Sequence, residues 1–337
     1  MAAMRKSGMP GADAGLVDVH AHFVTAEYVQ AAVSAGITTP DGMPAWPSWS
    51  AEDHLRLMDE NGIEKSYLSV SSPGTHFGDD AAAAALSRQV NEFGAAVAAA
   101  RPERFGHFAS LPLPNVEGAL RELAHALDVL GSDGVILESN AHGLYLGDER
   151  MRPLLAELDR RRAIVFVHPT SPPNHEQVSI GRPRPMVEFM FDSTRTLADL
   201  VFSGRLTEFG GIRWVFSHSG AAMPVLADRI ELFRTLFLAE QPGFGPEAPT
   251  VPELLRELWF DIAGTPFPNQ VPALTRAFGT EHLLYGSDYC YTPARGVTAQ
   301  LATIDAAEPP APGDDWRALT TRNAARLFAG TPAASHH

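Results

Sequence analysis

Cysteine occurs once in 337 residues, at Cys290. No intrachain disulfide can form, and the chain suits a reducing compartment such as the cytoplasm. Lysine occurs only at Lys6 and Lys65. Basic residues number 26 against 40 acidic ones, a formal charge of −14, and no run or stripe of Lys and Arg appears. Nucleic-acid and anionic-membrane binders need such clusters to displace counterions, so both classes are excluded. No apolar run reaches the ~18 residues that a membrane span needs. The first sixteen residues, which include Arg5, Lys6, Pro10 and Asp13, lack the apolar centre of a secretory signal. A soluble cytoplasmic enzyme is the expectation that these absences leave.

What is present fits that expectation. Hydrophobic residues make up 45% and charged residues 20% of the chain, enough for a packed core. The length allows two ordinary domains or one α/β barrel with insertions. Short β-branched or aromatic runs alternate with helical patterns throughout. The runs are Leu16–Val19, Lys65–Ser71, Phe105–Leu111, Gly134–Glu138, Ala163–Val167, Arg213–Ser217, Leu258–Ile262 and His282–Gly286. Several are continuously apolar, as strands buried on both faces are. Between them, Asp79–Ala100, Val116–Leu130, Met151–Arg162 and Met190–Phe209 read as helices. Eight strands with helical crossovers predict an α/β fold, a (β/α)8 TIM barrel forming a single domain over residues 1–330. Pro- and Gly-rich loops are expected at Ser34–Trp49, Pro169–Pro185 and Gln241–Pro252, after strands one, five and six. Residues 331–337 read as a disordered tail.

The ionisable residues that follow the apolar runs carry the chemistry. Strand one ends in His20-Ala21-His22, and side chains at i and i+2 of a strand share a face, so both imidazoles can meet one ion. Strand five runs into His168, strand six into His218, and strand eight into Ser287-Asp288. In a parallel barrel these ends converge at one mouth, and imidazole with carboxylate suits a divalent cation. Taken singly, each histidine could equally cap a loop.

The segments Val17–His22, Phe166–Pro169, Phe216–Ala221 and Leu284–Tyr289 resemble the amidohydrolase superfamily, in particular the amidohydrolase-2 branch that contains aminocarboxymuconate-semialdehyde decarboxylase and aromatic-acid decarboxylases. Met58–Ile63, Arg101–Phe105 and Asn323–Phe328 extend the resemblance across nearly the whole chain. It implies a metal-dependent barrel in which His20, His22, His168 and Asp288 bind one divalent ion. Zinc is the expected ion, with manganese as the alternative. It further implies that His218 and Asp288 act in catalysis. With no lysine available on strand four or five for carboxylation, a bridged two-metal site is not expected.

Two chemistries suit such a site. One is hydrolysis or hydration of a small carbonyl, amide or lactone substrate. The other is non-oxidative decarboxylation, with a proton delivered by Asp288 or by His218 directly or through water. The second is favoured. Pro44–Ser50 with Ser69–Gly74 resembles enzymes of 6-methylsalicylate-like monohydroxybenzoates, and the loop after strand one holds no arginine of the kind with which the semialdehyde decarboxylase grips a dicarboxylate. Trp46, Trp49, Phe189, Phe191 and Tyr289 are candidates to pack the ring, and Glu138 and Asn140 could face the substrate. Cys290 reads as a buried structural thiol, and His142 and His175 as loop residues. Leu226, Ile230, Phe233 and Phe237 in Met223–Ala239 are spaced either for the core or for a homodimer face.

Overall fold

Residues of alternating direction on each strand meet two different apolar layers, and this arrangement closes the sheet. The computed structural model describes residues 15–241, 244–245 and 247–329; the tail expected at 331–337 lies outside them. The main strands are β1 (Leu16–His22), β2 (Ile63–Ser69), β3 (Phe105–Ser110), β4 (Gly134–Glu138), β5 (Ile164–His168), β6 (Arg213–Phe216), β7 (Trp259–Asp261) and β8 (Leu283–Leu284). Each lies parallel to the next in chain order. Bridges Asp18–Tyr285 and Ala21–Tyr289 return the end of the sheet to β1, with Val19 N–H donating to the Tyr285 carbonyl at 3.0 Å. The chain forms the expected (β/α)8 barrel.

Val17, Val19, Tyr67, Phe108, Ile136, Ile164, Phe166, Val215 and Leu284 fill the interior. Val135, Val165, Val167, Trp214 and Phe216 belong to the outer layer under the helices. Each such side chain, fully buried, stabilises by about 1.5–3 kcal/mol. The C-terminal helix Trp316–Ala329 stops the lower end, placing Phe328 flat on Tyr67 with ring centroids 4.0 Å apart. Access is therefore from the C-terminal mouth.

Several boundaries differ from the sequence expectation. The helical segment expected over Val116–Leu130 is α-helical to His125 and π-helical over Ala126–Leu130. The segment expected over Met190–Phe209 is a helix Glu188–Phe202, then Gly204 at φ +72 and a short turn Arg205–Glu208. Gly204 permits the left-handed break that ends the first helix. The loop expected to run to Pro252 ends at Thr250, whose side chain forms a capping box with Glu253 on helix Val251–Arg256. Over the mouth, the turn Pro40–Gly42 is tied to the loop after β5. Ser171 Oγ donates to Asp41 and accepts from Arg184 Nε at 2.5 Å.

Candidate metal centre

His20 and His22 face inward because β1 is irregular. Val17 and Val19 point to the barrel interior lower down, and strict alternation would send Ala21, not His20 and His22, inward next. The register with β2 shifts between Asp18 and Ala21, which re-aims the two histidines together. Asp18, wholly buried, holds the irregularity. It accepts from His20 N–H at 3.1 Å and from the Ser287 backbone and hydroxyl at 3.0 and 2.7 Å. Burial pushes its carboxyl up to about 6 against those hydrogen bonds. His168 reaches the mouth by plain alternation after Ile164 and Phe166. His218 and Asp288 lie just beyond their strands at φ +53 and +57, a left-handed backbone that non-glycine residues adopt rarely and chiefly at functional sites.

The fold brings together all four residues expected around the ion. One candidate ligand atom from each of His20, His22, His168 and Asp288 lies within 4.8 Å of every other. The two Nε2 atoms of His20 and His22 are 3.0 Å apart, and Asp288 Oδ1 lies 3.4 and 3.3 Å from them. Ligands ~2.0–2.2 Å from a common ion are separated by about 3.0–3.5 Å, so the spacing fits. The outward nitrogens decide the tautomers. His20 Nδ1 meets Asp261 Oδ2 at 2.9 Å, and His22 Nδ1 meets Ser69 Oγ, whose own proton goes to the Ala21 carbonyl at 3.3 Å. With protons on both Nδ1 atoms, the two Nε2 lone pairs are left free to meet a shared cation.

Burial opposes a charge on His20, but the Asp261 and Asp288 carboxylates outweigh it and push the imidazole up to about 10. Burial also opposes ionisation of Asp288, yet the charge of His20 and hydrogen bonds from His20, His218 and His22 hold it well below the usual carboxylate range. Burial, with the neighbouring His22 and His20 charges, keeps His168 well below the usual imidazole range. His218 stands at the side of the cluster, with Nε2 3.4 Å from Asp288 Oδ2 and Nδ1 3.0 Å from Ser217 Oγ.

Above the cluster is a cavity of about 380 Å³, small for a ligand site. His168, His218 and Asp288 form its polar floor, while Met43, Met186, Phe189 and Met190 supply apolar wall. No lysine or arginine lines it among the described residues. Of the five aromatic residues expected to pack a ring, Phe189 alone lines this cavity. Trp49 and Tyr289 pack on His54, Trp46 on Tyr28, and Phe191 is exposed to solvent. Tyr291, two residues beyond Tyr289, lines it instead. Glu138 and Asn140 line a second cavity, of about 370 Å³, rather than this one. Burial and the nearby Asp41 and Asp192 carboxylates push Glu138 well above the usual range. Asp261, which carries His20, escaped sequence reasoning because an acid inside the run Trp259–Ile262 has no local signal. Cys290 is buried and unpaired, its thiol pushed up to about 12 by burial. His142 is a loop residue bonded to His76.

Fold and site define a class, the (β/α)8 barrel with a histidine–aspartate cation site at its C-terminal mouth. Within that class the chain belongs to the amidohydrolase family, whose pattern matches residues 17–330. It is 33% identical over 328 residues to the decarboxylase macB of Penicillium terrestre, covering 93% of this chain and 94% of that one. It is 33% identical over 319 residues to the 6-methylsalicylic acid decarboxylase acuB of Aspergillus aculeatus, covering 93% and 95%. A solved amidohydrolase II structure superposes with a TM-score of 0.83 at 32% identity, covering 93% of this chain and 99% of that one. A dihydroxybenzoic acid decarboxylase from Polaromonas sp., solved with manganese and 2-nitroresorcinol, superposes at 0.78 with 21% identity, covering 95% and 98%.

Proposed function

We propose that this chain is a metal-dependent carboxy-lyase that removes CO2, without oxidation, from a small ring-hydroxylated benzoic acid of the 6-methylsalicylate type. The observation that carries the reading is the division of the cavity. His168, His218 and Asp288 form its floor, Met43, Met186, Phe189 and Met190 supply an apolar wall, Asp41, Ser71, Ser72, Thr265, Gln270 and Thr292 add to the lining, and no lysine or arginine lines it among the described residues. A monocarboxylate with an aromatic ring fits that division; a second carboxylate would find no lysine or arginine and would share the cavity with Asp41. Similarity to the Aspergillus aculeatus 6-methylsalicylic acid decarboxylase supports the same substrate class, and similarity to the Penicillium terrestre decarboxylase supports the reaction.

His20, His22, His168 and Asp288 are assigned as the ligands of one divalent cation. When bound, that cation supplies positive charge for the substrate carboxylate and an adjacent phenol oxygen. Zinc suits three nitrogens and a carboxylate; manganese is supported by the Polaromonas enzyme. The chain's own part is proton handling. Met43, Met186 and Phe189 hold the ring over the floor and exclude water. His218 Nε2 and Asp288 Oδ2, 3.4 Å apart, hold the proton that is delivered to the ring carbon bearing the carboxylate. The bond from that carbon to the carboxylate then breaks, its electron pair returns to the ring, and CO2 departs. Protonation and bond cleavage together replace CO2 by hydrogen, with no oxidant or reductant.

The homodimer is also proposed, through helix Met223–Phe237, which leaves Val225, Leu232, Phe233, Leu236 and Phe237 exposed, a grouping typical of association surfaces. A single buried thiol fits a cytoplasmic setting. The decisive experiment supplies chelator-stripped protein with zinc or manganese and measures CO2 release from a panel of hydroxybenzoates. Release from 6-methylsalicylate or a close analogue is expected. No release from any member, with hydrolysis of an ester, amide or lactone panel instead, would overturn the proposal in favour of a hydrolase.

A further inference from the structure

We propose that Glu138 orients His168 toward the cation, acting as a positioning residue for the metal centre. The proposal rests on His168 being a ligand, and it is independent of which reaction the enzyme performs. Three imidazoles at the centre have their second nitrogen secured. His20 Nδ1 lies 2.9 Å from Asp261, His22 Nδ1 3.1 Å from Ser69 Oγ, and His218 Nδ1 3.0 Å from Ser217 Oγ. His168 breaks the pattern. Its Nδ1 is buried without a hydrogen-bond partner among the described residues.

The atom facing it is Glu138 Oε2, 3.7 Å away, itself buried and unpartnered. Strand register brings the two together. Glu138 ends β4, His168 ends β5, and the parallel ladder sets them directly opposite each other. The side chains therefore leave the sheet on one face as neighbours. Gly74 packs against the Glu138 side chain. A Cβ there would stand 3.4 Å from Glu138 Cγ, at a φ of +74 that few other residues adopt. Glu138 lines the second cavity, which a 2.6 Å hydrogen bond between the Ser72 and Thr170 hydroxyls helps wall off from the metal cavity. Glu138 thus meets His168 from the second cavity and is absent from the lining of the metal cavity.

A neutral histidine that binds a cation through Nε2 carries its proton on Nδ1, and an acceptor for that proton fixes the ring and raises the basicity of the ligand nitrogen. A carboxyl oxygen accepts in either ionisation state. Closing the gap to hydrogen-bond length takes a shift of about 0.7 Å, within side-chain adjustment. The competing reading is that Glu138 only fills the wall of the second cavity.

Affinity for the metal alone separates the two. Chelator-stripped wild type, Glu138→Gln and Glu138→Leu are titrated with Zn²⁺ and with Mn²⁺ against a chromogenic chelator, with no substrate present. Glu138→Leu should bind the ion about 10–100-fold more weakly. Glu138→Gln, whose amide oxygen accepts the same proton, should stay within a few-fold of wild type. Wild-type affinity in Glu138→Leu, with circular dichroism showing it folded, overturns the proposal. If Glu138→Leu does not fold, the isosteric Gln variant decides in its Co²⁺ form. The proton resonance of the His168 ring N–H should move while those of His20 and His22 stay, and no movement overturns the proposal. Because no turnover is measured, failure of the decarboxylase reading leaves either result intact.

Discussion

His20 Nδ1 and Asp261 Oδ2 lie 2.9 Å apart with both side chains excluded from solvent. The other oxygen of Asp261 accepts the backbone N–H of His218 at 3.0 Å. One carboxylate thus sets the tautomer of a proposed ligand and anchors the left-handed turn that aims the proposed catalytic imidazole. Substituting Asp261→Asn places an amide where an ionised acceptor stood. It should weaken metal binding about 10–100-fold, the usual cost of losing such a partner. His22→Ala, which removes a ligand outright, should lose more, without unfolding the barrel. Elemental analysis after dialysis checks both, and full metal content in His22→Ala would refute the ligand assignment.

Much of this centre was legible because barrel strands are continuously apolar. A polar residue at the end of such a run, as at His168 after Ile164–Val167, stands out. Asp261 and Asp18 were illegible for the converse reason. Each lies inside the run that the sequence marks as a strand, Leu258–Ile262 and Leu16–Val19, and only closure of the barrel shows that Asp261 meets His20 and Asp18 meets Ser287. The i, i+2 argument for His20 and His22 gave the right pairing, but alternation from Val17 and Val19 would have pointed both outward. The register shift that corrects it depends on pairing with β2. Aromatic placement failed most. Whether Trp49 or Tyr291 lines the cavity depends on how separate loops pack, and local sequence carries no record of that.

The exposed face of helix Met223–Phe237 gives a second prediction. Phe233 and Phe237, which spacing allowed in either core or interface, are 44% and 69% exposed, so burial within one chain does not explain them. Leu236→Glu with Phe237→Glu should turn a dimer into a monomer with little loss of monomer stability, since neither side chain is buried. Light scattering at micromolar concentration provides the check. A wild type that is already monomeric would sink the interface.

Acid sensitivity follows from His107, far from the metal ligands in sequence and packed under helix Asp80–Ala100, where a Cβ on Gly94 would strike its ring. Burial pushes this imidazole down to about 3, against ~6.5 in an unfolded chain. Between those values the unfolded state binds the proton and the folded state does not. Stability is therefore lost as pH falls below about 6.5, with a slope approaching ~1.4 kcal/mol per pH unit from this residue. His54, also pushed down to about 3, chiefly by burial, adds a similar term. Urea unfolding of chelator-stripped protein at pH 6 and pH 5 should show a shallower dependence in His107→Gln than in wild type. Equal slopes would mean that His107 titrates normally in the fold.

The proton-handling role of His218 is the sharpest test of the site. Its ring touches Asp288 Oδ2 at 3.4 Å through Nε2 and Ser217 through Nδ1. Its carbonyl is held by Gln270 Nε2 at 3.2 Å. The residue is thus positioned by its backbone as much as by its side chain, and a substitution should leave the turn in place. Gln keeps hydrogen-bonding capacity but cannot titrate near neutral pH. His218→Gln should retain the metal and lower kcat by about 10²–10⁴, the usual worth of a positioned acid or base. Unchanged KM alongside that fall would place the loss in the chemical step rather than in ground-state binding. Nearly intact turnover would reduce His218 to a brace for the Ser219-Gly220 turn. Loss of the ion together with activity would make it a ligand and move the proton to Asp288 alone.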